Sequence, residues 1–284
     1  MKRIATIQDL SGVGKCSLSI ALPVISAMGI ECAVLPTAVL SAHTAVEGFV
    51  SKGLTDLLAP FAAHWQQLGL QFDALYSGYL ASPAQVAQVN EIFDTFSTEN
   101  NLIFVDPVMA DHGKLYAGFE EGFPQEMGKL CARADVITPN VTEACLLTGT
   151  PYRETHDETF IRMLLHKLLE LGAHTAIITG VRYDPKSMGV AAMDASGSLS
   201  VHFTDYVPAV FHGTGDLFAS TCVGALTLGY SPADAISLAA DYVVRTICVT
   251  AANPDAPWYG VDFETTIPYL LSRLKNGSSR EEAI

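Results

Sequence analysis

The sequence is poor in basic residues. Of its 284 residues, 16 are Lys or Arg and 30 are Asp or Glu, which gives a formal net charge of −14. This balance lacks the basic surface that nucleic acids and anionic membranes require, so we expect neither as a partner. We expect a phosphate-bearing ligand to be held by backbone amides and a metal ion more than by cationic side chains.

Long apolar runs and paired cysteines are also missing. The most apolar stretch, residues 18–30, contains Pro23 and two serines and is shorter than the roughly 20 residues of a membrane-spanning helix. The polar residues Gln8 and Asp9 come too early for a signal peptide. The six cysteines include no C-x-x-C pair, unlike a disulfide-stabilised secreted domain. We therefore expect a cytoplasmic protein with reduced thiols.

Hydrophobic residues make up 49% of the chain and are arranged as in an α/β protein. Short β-type runs alternate with stretches of helical periodicity, which is typical of βα units in a mainly parallel sheet. The predicted strands are residues 3–7, 33–36, 74–77, 102–106, 136–138, 175–179, 189–193 and 199–203. The predicted helices are residues 15–28, 83–96, 141–147, 157–171, 215–228, 233–250 and 263–275.

The last two strands differ from the others in their connection. Residues 194–197 form a turn too short for a crossover helix, so these strands should pair as an antiparallel hairpin at one side of the sheet. No linker divides the chain, which indicates a single domain over residues 1–284. We expect residues 276–284 to be a frayed tail because they are polar and charged.

The loop after the first predicted strand, residues 9–17, carries a partial glycine pattern. Gly12 and Gly14 fit a dinucleotide fingerprint, but Ser17 stands at its third glycine position. Lys15 is followed by Cys16 where a Walker A loop needs Ser or Thr. The segment is therefore either a tight strand-to-helix turn or a ligand-contacting loop.

A second glycine-rich loop precedes an apolar helix. Gly213 and Gly215 flank Thr214 at the helix start, where successive backbone N–H groups can converge on an anion. Asp216 follows directly, and a carboxylate beside a phosphoryl group is suited to activate a hydroxyl as a base. The alternative is a helix start whose glycines serve turn geometry and whose Asp acts as a capping residue.

Two further loops carry acidic residues at strand ends. Asp106, Asp111 and Lys114 follow one strand, a set suited to metal and phosphate handling on a loop that its glycine would let move. In the next loop, Asn140 can cap a helix and Glu143 can complete a capping box. Alternatively, Glu143 faces the same crevice and holds a hydrated Mg²⁺.

Taken in this order, the motifs resemble the ribokinase superfamily and, within it, the pyridoxal (pyridoxine, pyridoxamine) kinases. The resemblance rests on the signature GTGDLFA at 213–219, DPVM at 106–109 with Asp111, Asn140 with Glu143, SAHT at 41–44 and SGYL at 77–80. It covers nearly the whole chain. It implies a three-layer α/β/α fold and, as in most members, a homodimer. It also implies an enzyme that uses ATP and Mg²⁺ to phosphorylate the 5'-hydroxymethyl group of a vitamin B6 vitamer. A monovalent-cation requirement stays open.

The resemblance also implies roles for individual residues. Asp216 is similar to the base that takes the hydroxymethyl proton, and the amides of Gly213, Thr214 and Gly215 resemble the cradle for the γ-phosphate. The other implied contacts are Glu143 and Asp111 for Mg²⁺, Asn140, Thr179 and Lys114 for the phosphates, and Ser11, Thr44 and Tyr79 for the vitamer.

Departures from the family pattern keep alternatives open. Residues 9–14 resemble the hydroxymethylpyrimidine kinases more than the pyridoxal kinases. His212 stands where many pyridoxal kinases carry an aliphatic residue. One alternative is therefore a hydroxymethylpyrimidine (phosphate) kinase. Another is a non-catalytic module that binds a nucleotide or vitamer. An NAD-linked oxidoreductase is disfavoured by the incomplete glycine fingerprint.

Overall fold

A nine-stranded sheet forms the centre of the fold. The computed structural model describes residues 1–278. Its strands are β1 (Arg3–Val13), β2 (Glu31–Ala42), β3 (Ser51–Gly53), β4 (Ala74–Ser77), β5 (Leu102–Val105), β6 (Ala110–Asp111), β7 (Lys114–Leu115), β8 (Val136–Ile137), β9 (Thr175–Val181), β10 (Ser187–Asp194) and β11 (Leu199–Asp205). The sheet order is β11-β10-β9-β8-β5-β4-β1-β2-β3, and β6 and β7 form a separate hairpin. In this spatial order, the six neighbouring strands β9, β8, β5, β4, β1 and β2 pair in parallel. At the two ends of the sheet, β3 pairs antiparallel with β2, and β10 pairs antiparallel with both β9 and β11.

Helices cover both faces of this sheet. They are α1 (Leu18–Ala27), α2 (Thr55–Gln67), α3 (Pro83–Phe96), α4 (Phe123–Cys131), α5 (Val141–Leu147), α6 (Glu158–Glu170), α7 (Thr214–Thr227), α8 (Pro232–Ala252) and α9 (Ile267–Ser278), with a 3₁₀ turn at Phe263–Thr266. Helices α2 to α6 share one buried cluster with the sheet, and α1, α7, α8 and α9 share the other. The predicted three-layer fold with an antiparallel hairpin at one side is therefore confirmed.

Strand alternation supplies both hydrophobic layers. On β4, Leu75 belongs to the cluster beneath α2 to α6, whereas Tyr76 belongs to the cluster beneath α7 and α8. This follows because successive side chains of a strand point to opposite faces. A parallel sheet covered on both faces therefore needs strands that are apolar throughout.

The first two strands are longer than the sequence indicates. We predicted a strand over residues 3–7, a loop from residue 9 and a helix from residue 15, but β1 continues to Val13 and pairs with β2 as far as Ala42. A Cβ at Gly12 would lie 3.3 Å from the carbonyl oxygens of Leu40 and Ser41. This glycine therefore permits close strand approach, and α1 begins only at Leu18.

Other elements were absent from our prediction. Helix α2 buries only Leu58 and Ala62 and contains Pro60, so its apolar periodicity is weak. The predicted mobile loop after β5 is instead the β6–β7 hairpin. Helix α9 extends to Ser278, three residues into the predicted frayed tail, and the rest of that tail, residues 279–284, lies outside the described residues.

Helix α8 is long enough and apolar enough to cross a membrane, judged by length and composition alone. It is the one such helix among residues 1–278. The same composition is typical of a core helix. Ala235, Ile236 and Ala239 of α8 are buried against the α7 side of the sheet.

Candidate active site

The predicted site residues lie around the carboxyl ends of the parallel strands. Asp106 directly follows β5, Asn140 follows β8, and Tyr79 lies two residues beyond β4. The strands β1, β4, β5 and β8 are neighbours in the sheet, so their carboxyl ends meet at one edge, where ligands bind in open α/β folds. Helix α7 begins at the same edge, because Gly213 lies against the carbonyl oxygen of Lys15, two residues beyond β1.

The start of α7 has the geometry of an anion cradle. Gly213 adopts a φ of 85°, and a Cβ at this position would overlap the carbonyl oxygen of Lys15. Gly215 instead has open space where a Cβ would lie, and it is exposed. The first amides of a helix have no intrahelical acceptor, so the N–H groups of residues 213–215 are available to a phosphate.

Asp216 occupies the first turn of α7 and is only partly exposed. Burial and the nearby carboxylate of Asp9 raise its pKa to about 7, although the backbone amide of Ser17 favours the ionised form. A carboxyl group with a pKa near neutrality can accept a proton and release it again. Asp216 therefore has the electrostatics expected of a general base.

Asp9 and Asp106 are two further acidic residues at the site; the sequence analysis gave Asp9 no role and gave Asp106 no role beyond metal and phosphate handling. Asp9 is 5% exposed and Asp106 6% exposed, and burial raises the pKa of both. The charges of Glu143 and Asp216 raise the pKa of Asp106 further. The signal that pointed to Asp106 was a carboxylate at the end of a buried strand. Asp9 opened the loop that we predicted after residue 7, but the structure places it within β1.

Glu143 is bound by backbone amides. Its Oε1 accepts hydrogen bonds from the amides of Met109 at 3.0 Å and Ala110 at 3.3 Å, and its Oε2 accepts one from the Asn140 amide at 2.9 Å. The Asn140 side chain in turn accepts from the Glu143 amide, so the capping box is present. Burial nevertheless raises the pKa of Glu143 to about 7.

The acidic residues fit a hydrated Mg²⁺ better than a bare one. Among residues 1–278, no group of three or more His, Cys, Asp or Glu side chains could hold a metal ion. Asp111 is half exposed and lies close enough to raise the pKa of Glu143. Mg²⁺ usually keeps several waters and binds one or two carboxylates plus substrate phosphates. Asp111 and Glu143 are the residues that would hold such an ion.

The β6–β7 hairpin carries Asp111 and Lys114 and is fastened to α5. The amide of Gly113 donates to Thr142 Oγ1 at 3.0 Å, and Asn140 Nδ2 donates to the carbonyl of Ala110 at 2.8 Å. Lys114 is exposed, so its ammonium group is accessible to a phosphate. These bonds join the hairpin to the start of α5, where we had expected an irregular loop; its mobility stays a prediction.

Asn140 and Thr179 lie side by side, bridged through their backbones. The side-chain oxygen and nitrogen of Asn140 each already make a hydrogen bond within the protein. Thr179 is partly exposed, and its amide donates to the carbonyl of Pro139 at 3.0 Å. The structure thus brings this predicted phosphate-contacting pair together.

The three residues predicted to contact the vitamer differ from one another in burial and in their neighbours. Ser11 is buried and its Oγ donates to Asp9 Oδ2 at 3.3 Å. The Tyr79 ring packs 5.6 Å from the Phe119 ring, and burial and then the charge of Asp9 raise the pKa of Tyr79. Thr44 is exposed just beyond β2. Asp9 is therefore the common neighbour of Ser11, Tyr79 and Asp216.

Lys15 and His212 also border the site. Lys15 Nζ pairs with Glu264 at 2.6 Å and Asp262 at 3.5 Å, so it is not a phosphate-binding Walker lysine here. The ring of His212 lies 4.6 Å from that of His43. His43 is buried and was not among our candidates.

Known proteins resemble this chain over most of its length. The family model described as phosphomethylpyrimidine kinase matches residues 14–256. Pyridoxal kinase PdxY of Aliivibrio fischeri is 31% identical over 256 residues, covering 83% of this chain and 84% of that protein. The hydroxymethylpyrimidine/phosphomethylpyrimidine kinase of Mycobacterium leprae is 28% identical, covering 89% and 90%.

Solved structures agree with these relatives. A putative phosphomethylpyrimidine kinase from Bacteroides thetaiotaomicron, crystallised with pyridoxal, is 36% identical, with a TM-score of 0.90 and coverage of 95% of each chain. Pyridoxal kinase from Lactobacillus plantarum is 34% identical, with a TM-score of 0.88 and coverage of 96% of this chain and 97% of that one. The predicted ribokinase-like fold and kinase activity are thereby confirmed, and the chain belongs to the phosphomethylpyrimidine kinase family, in which pyridoxal kinases and hydroxymethylpyrimidine kinases are close relatives.

Proposed function

We propose that this kinase transfers the γ-phosphoryl group of ATP to the 5'-hydroxymethyl group of pyridoxal, pyridoxamine or pyridoxine. The observation that carries the proposal is the position of Asp216, with a pKa near 7, directly beside the open amides at the start of α7. A base next to an anion cradle is what transfer of a phosphoryl group to an alcohol requires. Pyridoxal in the crystals of the Bacteroides relative supports the choice of substrate.

In the proposed reaction, the Asp216 carboxylate accepts the hydroxyl proton as the alcohol oxygen attacks the γ-phosphorus. The bond from the γ-phosphorus to the bridging oxygen of ADP breaks, and ADP and the vitamer 5'-phosphate leave. The amides of residues 213–215 stabilise the charge on the transferred group, and Lys114 contacts the phosphates. A bound Mg²⁺ would neutralise phosphate charge, and Asp111 and Glu143 would hold it, in part through water. Ser11, Thr44 and Tyr79 would orient the vitamer ring.

A second candidate is the phosphorylation of a hydroxymethylpyrimidine. The observation in its favour is the segment over residues 9–14, which resembles that of the hydroxymethylpyrimidine kinases. The match to the Mycobacterium leprae enzyme supports the same candidate.

One experiment decides between these candidates. The purified chain is incubated with ATP, Mg²⁺ and, in turn, pyridoxal, pyridoxamine, pyridoxine and hydroxymethylpyrimidine, and both ADP and the phosphorylated product are measured. We expect the highest kcat/KM for one of the three vitamers, and Asp216→Asn is the control for background turnover. Preference for the pyrimidine would replace the first candidate by the second. ATP binding without turnover of any of the four compounds would favour a non-catalytic module.

We further propose that the chain is a single domain and acts as a cytoplasmic homodimer. Both buried clusters share one continuous sheet, which supports a single cooperative unit. Light scattering coupled to size exclusion tests the dimer, and a monomeric mass at assay concentration would contradict it.

A further inference from the structure

Lys15 lies in the short loop between β1 and α1, and its side chain is largely withdrawn from solvent. Only 13% of that side chain is exposed. Its Nζ pairs with Glu264 at 2.6 Å and with Asp262 at 3.5 Å, and it lies 5.6 Å from the centre of the Phe263 ring. A cation with so little water needs the anions that it has, because breaking a buried pair leaves a charge uncompensated. The side chain of Lys15 therefore joins this loop to the 3₁₀ turn before α9.

The rest of Lys15 is packed between two glycines. A Cβ on Gly213 would overlap the Lys15 carbonyl oxygen, and a Cβ on Gly260 would lie 2.6 Å from the Lys15 Cβ. The Lys15 amide also donates to the Tyr259 carbonyl at 3.5 Å. One residue thus contacts the start of α7 with its carbonyl group while its side chain is bound to the turn before α9.

Two residues further on, Ser17 has a backbone conformation that residues with a side chain rarely adopt. Its φ is 49° and its ψ is −130°, and it is buried. Such a conformation persists only where the surrounding structure enforces it, and it is commonest at functional sites. The amide of Ser17 is the one that favours the ionised form of Asp216. The strained residue is therefore also the one that acts on the proposed base.

Bonds within the loop give it its shape. The Cys16 amide donates to Ser19 Oγ at 3.1 Å, and the Ala21 amide donates to the Ser17 carbonyl at 2.9 Å. These bonds join residues that are three or four positions apart, so they do not determine where the loop lies relative to α7. The ion pairs of Lys15 span about 250 positions of the chain, and they are suited to do so.

We propose that Lys15 is a positioning residue whose ion pairs hold residues 14–17 against the start of α7. Its carbonyl group then fixes the place of Gly213 in the anion cradle, and the Ser17 amide reaches Asp216. Lys15 acts through these groups and touches neither the alcohol nor the phosphates. The proposal rests on the proposed function where it treats Asp216 as the base.

The groups around Asp216 make the Ser17 amide important. The titratable side chains coupled to Asp216 are carboxyl, thiol and phenol groups: Asp9, Cys16, Tyr76, Asp106 and Tyr116. Burial and the charge of Asp9 favour the protonated carboxyl group. A hydrogen bond donated to the carboxylate opposes both effects. A loop that moves away from α7 weakens this bond, so the titration of Asp216 should move to higher pH.

The test removes the partners of Lys15 and uses the sign of the result. Asp262→Asn/Glu264→Ala removes two anions, which through charge alone should lower the pKa of any carboxyl group nearby. The positioning role predicts the opposite. We expect the ¹³C carboxyl titration midpoint of Asp216, assigned by its loss in Asp216→Asn, to rise by about half a pH unit in this double variant. The acidic limb of kcat/KM should move with it.

Three single variants complete the test. Lys15→Met should raise the midpoint in the same way, and Lys15→Arg, which keeps the cation, should restore it to the wild-type value. Lys2→Met is the matched control, because it removes the same charge and breaks the exposed ion pair of Lys2 with Asp73, which measures 2.9 Å. It should leave the midpoint unchanged.

A midpoint that falls or stays constant in the folded double variant would overturn the proposal, and so would an equal shift in Lys15→Met and Lys2→Met. If the double variant does not fold, Lys15→Met decides against Lys15→Arg, and equal midpoints in these two reject the positioning role. The midpoint needs no turnover. A raised midpoint in a protein that phosphorylates none of the tested alcohols would therefore retain the role of Lys15 and reject the proposed function.

Discussion

Two glycines of the α7 loop should respond oppositely to the same substitution. Gly213 has a φ of 85°, and a Cβ there would overlap the Lys15 carbonyl oxygen. We expect Gly213→Ala to destabilise the fold by about 2–5 kcal/mol, the sum of about 1–2 kcal/mol for the left-handed backbone and about 1–3 kcal/mol for overpacking. Gly215 has open space around its Cα, so Gly215→Ala should keep the stability or raise it by up to about 1 kcal/mol.

Activity separates the two variants a second time. In Gly215→Ala, the new methyl group would occupy the exposed side of the cradle, where a phosphate approaches the amides. We expect kcat/KM for ATP to fall by about tenfold or more in a protein that is at least as stable as the wild type. Urea unfolding followed by circular dichroism gives the stability, and initial rates at varied ATP give the activity. Equal free energies of unfolding for Gly213→Ala and Gly215→Ala would refute the argument from backbone geometry.

Three further predictions concern charged residues. Asp216→Asn should lower kcat by about 10²–10⁴. The pKa of Asp216 is about 7, and only its ionised form accepts a proton. Wild-type kcat/KM should therefore fall as the pH drops through this value. A pH profile of the same shape in Asp216→Asn would exclude Asp216 as the base. Glu143→Gln replaces an acceptor of backbone amides with a partial donor, so unfolding should become easier by about 1–3 kcal/mol and the Mg²⁺ requirement should rise; unchanged urea and metal titrations would contradict both roles. Lys114→Ala should raise KM for ATP several-fold, and Lys52→Ala, an exposed lysine on β3, should not; equal KM values would remove Lys114 from the site.

Local sequence patterns were sufficient to predict an element wherever residues at its own ends fix its boundaries. Helix α3 spans the predicted residues, with Ser82 capping it and Pro83 in its first turn. Helix α5 also spans the predicted residues because the Asn140 capping box fixes its start. The turn at 194–197 likewise determines the β10–β11 hairpin.

Long-range pairing set the elements that sequence patterns missed. The extension of β1 to Val13 depends on β2, whose paired residue Ala42 lies 29 positions further along the chain. The β6–β7 hairpin depends on Glu143 and Thr142, which bind its backbone amides. No local pattern in residues 105–116 contains those partners, so a glycine and polar residues there suggested a mobile loop.

The candidate site shows the same division between residue type and arrangement. The GTGD motif predicts a cradle and a carboxylate, but the raised pKa of Asp216 depends on burial and on Asp9, which lies on another element. Lys15, the cation that precedes α1, is bound to Asp262 and Glu264. The buried charges around Asp216 are therefore acidic, and an anionic nucleotide would be repelled unless a cation came with it. Net acidity in the sequence and the grouping of Asp9, Asp106 and Asp216 in the structure thus both support the proposal that ATP binds as its divalent-metal complex against backbone amides.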